Sequence, residues 1–371
     1  MRHVDVVVAG GGPAGSTCAW ALGRAGANVL VLDGARFPRD KVCAGWITPR
    51  VLEVLGLTPE EYRASGLVMQ DMTGFRTSVL PNRRPVSTRY ESIVSYGVRR
   101  CEFDRYLLRR AGVEVVEGTA VSTLRRVADR WIINEHVSAT LLVGAGGQFC
   151  PVARHLNPPS RDGLVIAREI ELPIDGDRCS IDGSVPELYF CHDLNGYGWC
   201  VRKGNFLNVG FGRRTGHEFQ THVRGFVQWL KVSRTVPERV LDWTHWRGHA
   251  YRLRGATPHV AGEGVLLIGD AAGLAWPESG EGIAPAVESG AIAARTIVAS
   301  GGHFASVDAL AYANSIGATA KTGLSVPMPL ARTLMRVPPL VRYALDRWFL
   351  RVSDHRERAR ALLWEKQNAS M

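Results

Sequence analysis

The chain has 371 residues, 46% hydrophobic and 22% charged, which gives room for one large domain or two intertwined ones with a sizeable core. Its net charge of +10, from 45 Lys and Arg against 35 Asp and Glu, reads as an Arg-rich solvated surface, with nucleic acid, an anionic membrane or an anionic substrate as the alternatives; with the motifs below, no nucleic-acid partner is expected. No apolar run reaches the roughly 18 residues that cross a bilayer, and seven scattered cysteines without a CxxC pair argue against a zinc site and for a reducing, cytoplasmic setting.

The first 33 residues predict a βαβ unit. A strand from His3 to Ala9 runs into Gly10-Gly-Gly12-Pro13-Ala14-Gly15, an Ala-rich helix follows, and a second strand ends at Asp33. Each part has a physical task. Gly10 allows the tight turn, Gly12 lets backbone approach a pyrophosphate, and Gly15 lets helix and strand pack closely. The helix N-terminus offers N–H groups to phosphate. Asp33, 23 residues after Gly10, is spaced to bond a ribose hydroxyl. The first strand begins at the amino terminus, so a signal peptide is not expected.

Next comes a loop, Arg36 to Trp46, then a helix over 48–55 with Thr48 as N-cap, Pro49 at the first position and Gly56 past the end. Thr58-Pro-Glu-Glu61 reads as a capping box. Residues 66–98 alternate and predict strands; 102–111 reads as a helix; a short strand, a hairpin over 121–135 and a buried strand over 139–144 follow. From 164 to 253 the pattern is mostly strand, interrupted by a helix near 216–231.

Gly264 to Asp270 returns to the parallel-sheet style and leads through Gly269-Asp270-Ala-Ala-Gly273, Pro277 and Gly280-Glu-Gly282-Ile283 into a helix over about 282–299. An Asp at this place can bond a polyol, and the helix N-terminus can stabilise negative charge on an aromatic ring system. Two glycine-rich elements far apart in the chain suit a cofactor clamped from both sides, which favours FAD over NAD. Residues 308–369 read as helices broken at Pro327, Pro329 and Pro338-Pro339. Val341, Ala344, Leu345, Trp348, Phe349 and Val352 share one helical face with Arg342, Arg347 and Arg351 off it. That face predicts packing on the protein's own domain, with peripheral membrane contact as the alternative.

Together these segments resemble the FAD-dependent oxidoreductases of the para-hydroxybenzoate-hydroxylase-type fold, in particular the geranylgeranyl reductase-like branch. The resemblance covers roughly residues 1–310. Besides the two glycine-rich elements, it rests on Lys41-x-Cys43-Ala44-Gly45, similar to a K-x-C-G-G segment, and on Arg100-x-x-Phe103-Asp104 with Leu107, similar to R-x-x-F-D-x-x-L. It implies an α/β fold: a Rossmann-like FAD-binding domain (1–65, 99–160, 255–307), an antiparallel β-sheet substrate domain (66–98, 161–254) and a helical C-terminal part (308–371). By the same resemblance Arg100 would reach the FAD pyrophosphate or ribityl region, Val121 the adenine, Asp270 the ribityl chain or pyrophosphate, and Gly280, Gly282 and Ile283 the flavin edge. Lys41, Cys43, Ala44 and Gly45 would lie beside the flavin.

The candidate catalytic residues are Cys43, Tyr197, Trp199 and Pro277, with no metal. Tyr197 and Trp199, two apart on a strand, face the same way and match a Y-x-W-x-F-P cavity segment in which Val201-Arg202 replaces Phe-Pro. Gly144-Ala-Gly-Gly147 stands where NADPH-dependent hydroxylases carry G-A-D-G, and the W-x-W-x-I-P of flavin halogenases is absent. The resemblance implies reduction of C=C bonds in a hydrophobic polyprenyl or quinone-like lipid. NAD(P)H or a reduced ferredoxin-type protein would be the electron donor. Two alternatives stand beside it: an aromatic monooxygenase using NAD(P)H and O2, and a non-catalytic flavin-binding assembly factor.

Overall fold

In the computed structural model the first βαβ unit forms as its pattern requires: β1 (Arg2–Ala9), α1 (Pro13–Arg24) and β2 (Val29–Asp33). The structure describes residues 1–351 apart from 82–83, 159–162, 176–178, 215–217, 256, 258, 305–306 and 319–336. Pro327, Pro329 and Val352 lie outside the described residues. After β2 come β3 (Trp46–Ile47), α2 (Pro49–Leu55) and α3 (Pro59–Ala64). Helix α2 ends at Gly56, whose left-handed φ of 55° only glycine adopts cheaply. Thr58 and Glu61 close the expected capping box.

Four strands follow: β4 (Met69–Met72), β5 (Gly74–Val79), β6 (Val86–Arg89) and β7 (Ser95–Val98). Then come α4 (Arg100–Arg110), β8 (Glu114–Glu117), the hairpin β9 (Leu124–Val127) and β10 (Arg130–Ile133), β11 (Val137–Gly144) and α5 (Pro151–Leu156). The strand-rich stretch supplies β12 (Leu164–Pro173), β13 (Glu187–Phe190), β14 (Gly196–Lys203), β15 (Phe206–Arg214), α6 (Phe219–Ser233) and β16 (Arg247–Arg252). The chain then gives β17 (Ala261–Gly262), β18 (Val265–Leu267), α7 (Ile283–Val298), α8 (Ala309–Ala318) and α9 (Pro338–Ala344), which runs into a π-helical turn, Leu345–Leu350.

The main sheet has the order β17-β18-β11-β1-β2-β8, with β10 and β9 continuing from β11. Its inner strands are parallel, and β1, β2, β11 and β18 end together at Ala9, Leu32, Gly144 and Leu267. Strands buried on both faces need continuous apolar runs, and Val6, Val7, Val8, Leu30, Val31, Leu141, Leu142 and Val143 provide them. A second sheet, β16-β12-β15-β14-β13-β5-β6, carries a separate apolar core built from Val209, Phe211, Phe226 and Leu230. It is antiparallel as expected except for one joint, where β13 pairs β5 in parallel. That joint exists because β5 arrives from a part of the chain about 110 residues earlier rather than through a hairpin. A small third sheet, β3-β7-β4, packs against β14 of the second.

The apolar stripe near the C-terminus is used internally. Val341, Ala344, Leu345, Phe349 and Leu350 are buried against Phe75, Leu188, Phe190 and Trp199 of the second sheet. No helix among the described residues is long and apolar enough to cross a membrane.

Two central helices, α1 and α7, meet along small residues. A Cβ on Gly290 would fall 2.4 Å from the Ala14 carbonyl oxygen, and one on Gly15 only 1.9 Å from that of Gly10. Gly290→Val is therefore expected to force the helices apart and destabilise the fold by about 1–3 kcal/mol. Gly225→Ala at an exposed position of α6, where a Cβ meets nothing within 4 Å, should be neutral or stabilise by up to about 1 kcal/mol. Thermal unfolding of the two variants checks both signs.

Candidate active site

The carboxyl ends of the parallel strands open on a cavity of about 510 Å³ that lies between the main and the second sheet. This is the edge where open α/β sheets place ligands. The main-sheet side brings Gly10, Gly12, Pro13, Ala14, Asp33 and Val121 to the wall. The second sheet brings Ala167, Tyr197, Trp199, His249 and Tyr251.

On the main-sheet side the backbone is shaped for an anion. Gly10 has a φ of 122°, and a Cβ there would lie 2.4 Å from the Ala145 carbonyl oxygen. Helix α1 starts at Gly12 without a side-chain capping bond and without an acid in its first turn. Its N-terminal dipole end therefore faces the cavity with no acid from its own first turn to neutralise it. Arg39 lies just above, with Nη2 3.4 Å from where a Gly12 Cβ would be. The Asp33 carboxylate accepts hydrogen bonds from Gly11 N–H (2.7 Å) and Ala35 N–H (2.8 Å). Both oxygens are fixed in orientation and keep lone pairs for a diol on the cavity side.

Helix α7 repeats the device. Its N-cap, Gly282, makes no side-chain capping bond, and Asp270, Gly280, Gly282 and Ile283 all reach the wall. Gly280 has a φ of 69°, and a Cβ on it would lie 2.6 Å from the Tyr251 hydroxyl. Two helix N-termini thus open on one cavity, an arrangement suited to a dinucleotide held at both ends.

Between them stand three cations. Arg100 is buried and pairs in bidentate fashion with fully buried Asp104 (2.8 and 2.9 Å). Arg39 also meets Asp104, at 3.3 Å. Lys41 contacts His249 through Nζ and Nε2. Burial lowers the pKa of Lys41, against the pull of Asp270. Burial, and after it the Lys41 charge, pushes His249 down to about 3. His249 is the neutral partner that accepts from the lysine.

The second-sheet side is aromatic, and two of its rings spend their polar atoms on protein acceptors. Tyr197 donates its hydroxyl to the Ser279 carbonyl, and Trp199 Nε1 donates to Asn208 Oδ1 at 2.7 Å. Phe349, from the π-helical turn, stacks on Trp46 (5.6 Å, 12°) and meets Tyr197 edge-on at 6.1 Å. Gly210 makes room for the Trp199 ring, since a Cβ there would come within 2.2 Å of it. Glu281 also lines the cavity; its Oε1 has no hydrogen-bond partner among the described residues, and burial raises its pKa to about 8.

The cavity wall gathers Gly10, Gly12, Pro13, Ala14, Asp33, Lys41, Cys43, Ala44, Arg100, Val121, Tyr197, Trp199, Asp270, Gly280, Gly282 and Ile283 from the sequence-derived candidates. It does not include Gly15, Gly45 or Pro277. Gly15 and Gly45 are close-packing glycines: a Cβ on Gly45 would lie 2.0 Å from the Val98 carbonyl oxygen. Pro277 turns its carbonyl to Arg214 Nη2 at 3.0 Å. Sequence reasoning missed Arg39, His249, Tyr251, Glu281 and Phe349. His249 and Tyr251, two apart on one strand, carried the same alternation signal as Tyr197 and Trp199.

A family model described as FAD binding domain matches residues 3–311. Menaquinone reductase of Mycobacterium tuberculosis is 31% identical over 339 residues, covering 79% of this chain and 76% of that protein. Digeranylgeranylglycerophospholipid reductase of Methanocaldococcus jannaschii is 27% identical, covering 78% and 75%. The crystal structure of a geranylgeranyl bacteriochlorophyll reductase-like protein from Thermoplasma acidophilum superposes with a TM-score of 0.72 at 19% identity, covering 96% of this chain and 99% of that one. The cradle fits FAD: uncapped helix N-termini at two places, cations between them, and glycines where side chains would intrude.

His249 is held neutral, so its folded pKa lies below the unfolded value of 6.5. The stability linked to it is present above pH 6.5 and lost as the pH falls toward 3. Acid unfolding should show this: wild type is expected to lose stability between pH 6.5 and 4 faster than His249→Gln.

Proposed function

Because this chain belongs to the FAD binding domain family, an FAD-dependent oxidoreductase by descent, we propose that it reduces a carbon–carbon double bond of a hydrophobic, polyprenyl or quinone-like acceptor. The observation that carries this reading is the aromatic wall. The phenol of Tyr197 and the indole N–H of Trp199 are both spent on protein acceptors. What they leave toward the cavity are ring faces, joined by Trp46 and Phe349. Ring faces suit an apolar chain, whereas a phenolic substrate would call for a polar cap at this wall. The names of the menaquinone and digeranylgeranylglycerophospholipid reductases among its relatives support the same class.

FAD, when bound and reduced, supplies a hydride. The chain's own residues then have three tasks. Gly12, Arg39 and the α1 N-terminus would hold the pyrophosphate, with Asp33 on the adenosine ribose and Asp270 on the ribityl chain. The α7 N-terminus would steady negative charge at the flavin edge. Saturating a double bond also consumes a proton. Glu281, raised to about 8 by burial, is a neutral acid at pH 7 and holds that proton at an oxygen without another partner. The electron donor in this proposal is NAD(P)H or a reduced ferredoxin-type protein.

Anaerobic mixing of the reduced holoenzyme with menaquinone and with digeranylgeranyl lipids tests the class. Reoxidation of the flavin with a saturated product is expected. Phenol-stimulated NAD(P)H consumption with oxygen entering the product would instead select the monooxygenase reading. Glu281→Gln is expected to slow lipid-driven reoxidation by about 10²-fold and to remove its fall above pH 8, with FAD still bound.

A further inference from the structure

Lys203 is one of the largest fully buried side chains in the protein, at 0% exposure. A lysine is almost never buried to this extent unless its charge and all its donors are used. Here they are used, and one of them reaches the cavity wall. Nζ pairs with Glu171 and donates to the carbonyls of Ala44 (3.1 Å) and Val98 (3.2 Å). Two glycines clear its path: a Cβ on Gly45 would lie 2.8 Å from Nζ, and one on Gly97 2.9 Å from Cγ. Asn208 stands alongside. It accepts from Trp199 Nε1 (2.7 Å) and donates to the Cys43 carbonyl, a longer bond at 3.4 Å. Glu171 in turn holds Arg99 at 3.0 Å, and Arg99 holds Glu102 at 2.7 Å. Glu169, also buried, lies beside Lys203, Asn208 and Cys43. The wall segment 41–44 is irregular chain without a ladder of its own, so these side chains from β12, β14 and β15 supply backbone bonds that a sheet would otherwise give.

We propose that Lys203 and Asn208 are positioning residues of the FAD site: reaching from the second sheet, they grip the consecutive carbonyls of Ala44 and Cys43 and so fix the Lys41–Ala44 wall and the Trp199 ring at one distance across the cavity. Neither residue is itself in the cavity wall. They act through the groups they hold. The grip ties the second sheet to the 41–44 segment and, through Val98, to β7 of the third sheet.

Two variants test this by FAD titration, visible circular dichroism of the bound flavin and thermal unfolding. Lys203→Met/Glu171→Leu removes the buried pair together, since a lone buried charge would unfold the protein and obscure the result. Asn208→Leu, close in size and uncharged, removes the acceptor for Trp199 and the donor to Cys43 together without placing a second carboxyl beside buried Glu169. Both are expected to weaken FAD binding about tenfold and to change the flavin dichroism. The thermal midpoint of the FAD-free protein should fall by only a few degrees for Asn208→Leu. Wild-type affinity and dichroism in Asn208→Leu and in a folded double variant would overturn the proposal. So would a loss of affinity that merely tracks loss of stability in both. If the double variant does not fold, Asn208→Leu alone decides.

Discussion

The site depends on how closely two helices can approach. Backbone dipoles act on a ligand only through the last turn of a helix, and the field falls off within about one turn. For α1 and α7 to act on the same molecule, both N-termini must reach one cavity. Gly15 and Gly290 permit this by removing the Cβ atoms that would separate α1 from β1 and α7 from α1. The rest of the cradle follows from that approach. Gly12 and Gly282 can be left uncapped because the charge they lack is to come from a ligand. The cations Arg39, Lys41 and Arg100 can crowd the space between because Asp104 and Asp270 share the load.

The second sheet contributes a different kind of order. Its residues in the cavity are mostly aromatic, and the polar atoms of Tyr197 and Trp199 are spent on protein acceptors. This divides the cavity chemically: fixed positive ends and cations on one side, ring faces on the other. A cofactor with a charged middle and a flat aromatic end suits that division, and so does a greasy acceptor brought against the flat end. The buried lysine and asparagine tie the second sheet to the 41–44 segment of the wall.

Much of this was legible in the sequence where the cause is local. The glycine turn at 10–15, the cap at Gly56, the capping box at 58–61 and the Gly269-to-Ile283 segment each encode a conformation within a few residues, and each forms. Tyr197 and Trp199 were legible because alternation along a strand is also local. What escaped was decided by partners far away in the chain. Phe349 is part of an apolar stripe that fits a membrane surface or a protein core equally well until its sheet is known. Arg39 looks like any loop arginine before Gly12 and Asp104 are placed beside it. Pro277 belongs to a glycine-rich motif and yet turns toward Arg214, because motif membership does not fix which way one residue faces. The parallel joint of β13 with β5 carries no signature at all, since either pairing presents the same side chains to the core.

The π-helical turn that places Phe349 against Trp46 has a consequence for assembly. The cradle begins at residue 10, while the opposite wall is finished only at residue 349. During synthesis nearly the whole chain must emerge before the chamber has its final shape. Loops of that span close late and slowly. A dinucleotide that binds the finished chamber and not the open chain would draw the last segment into place by mass action. FAD would then act in this protein as a late folding ligand as well as a redox group.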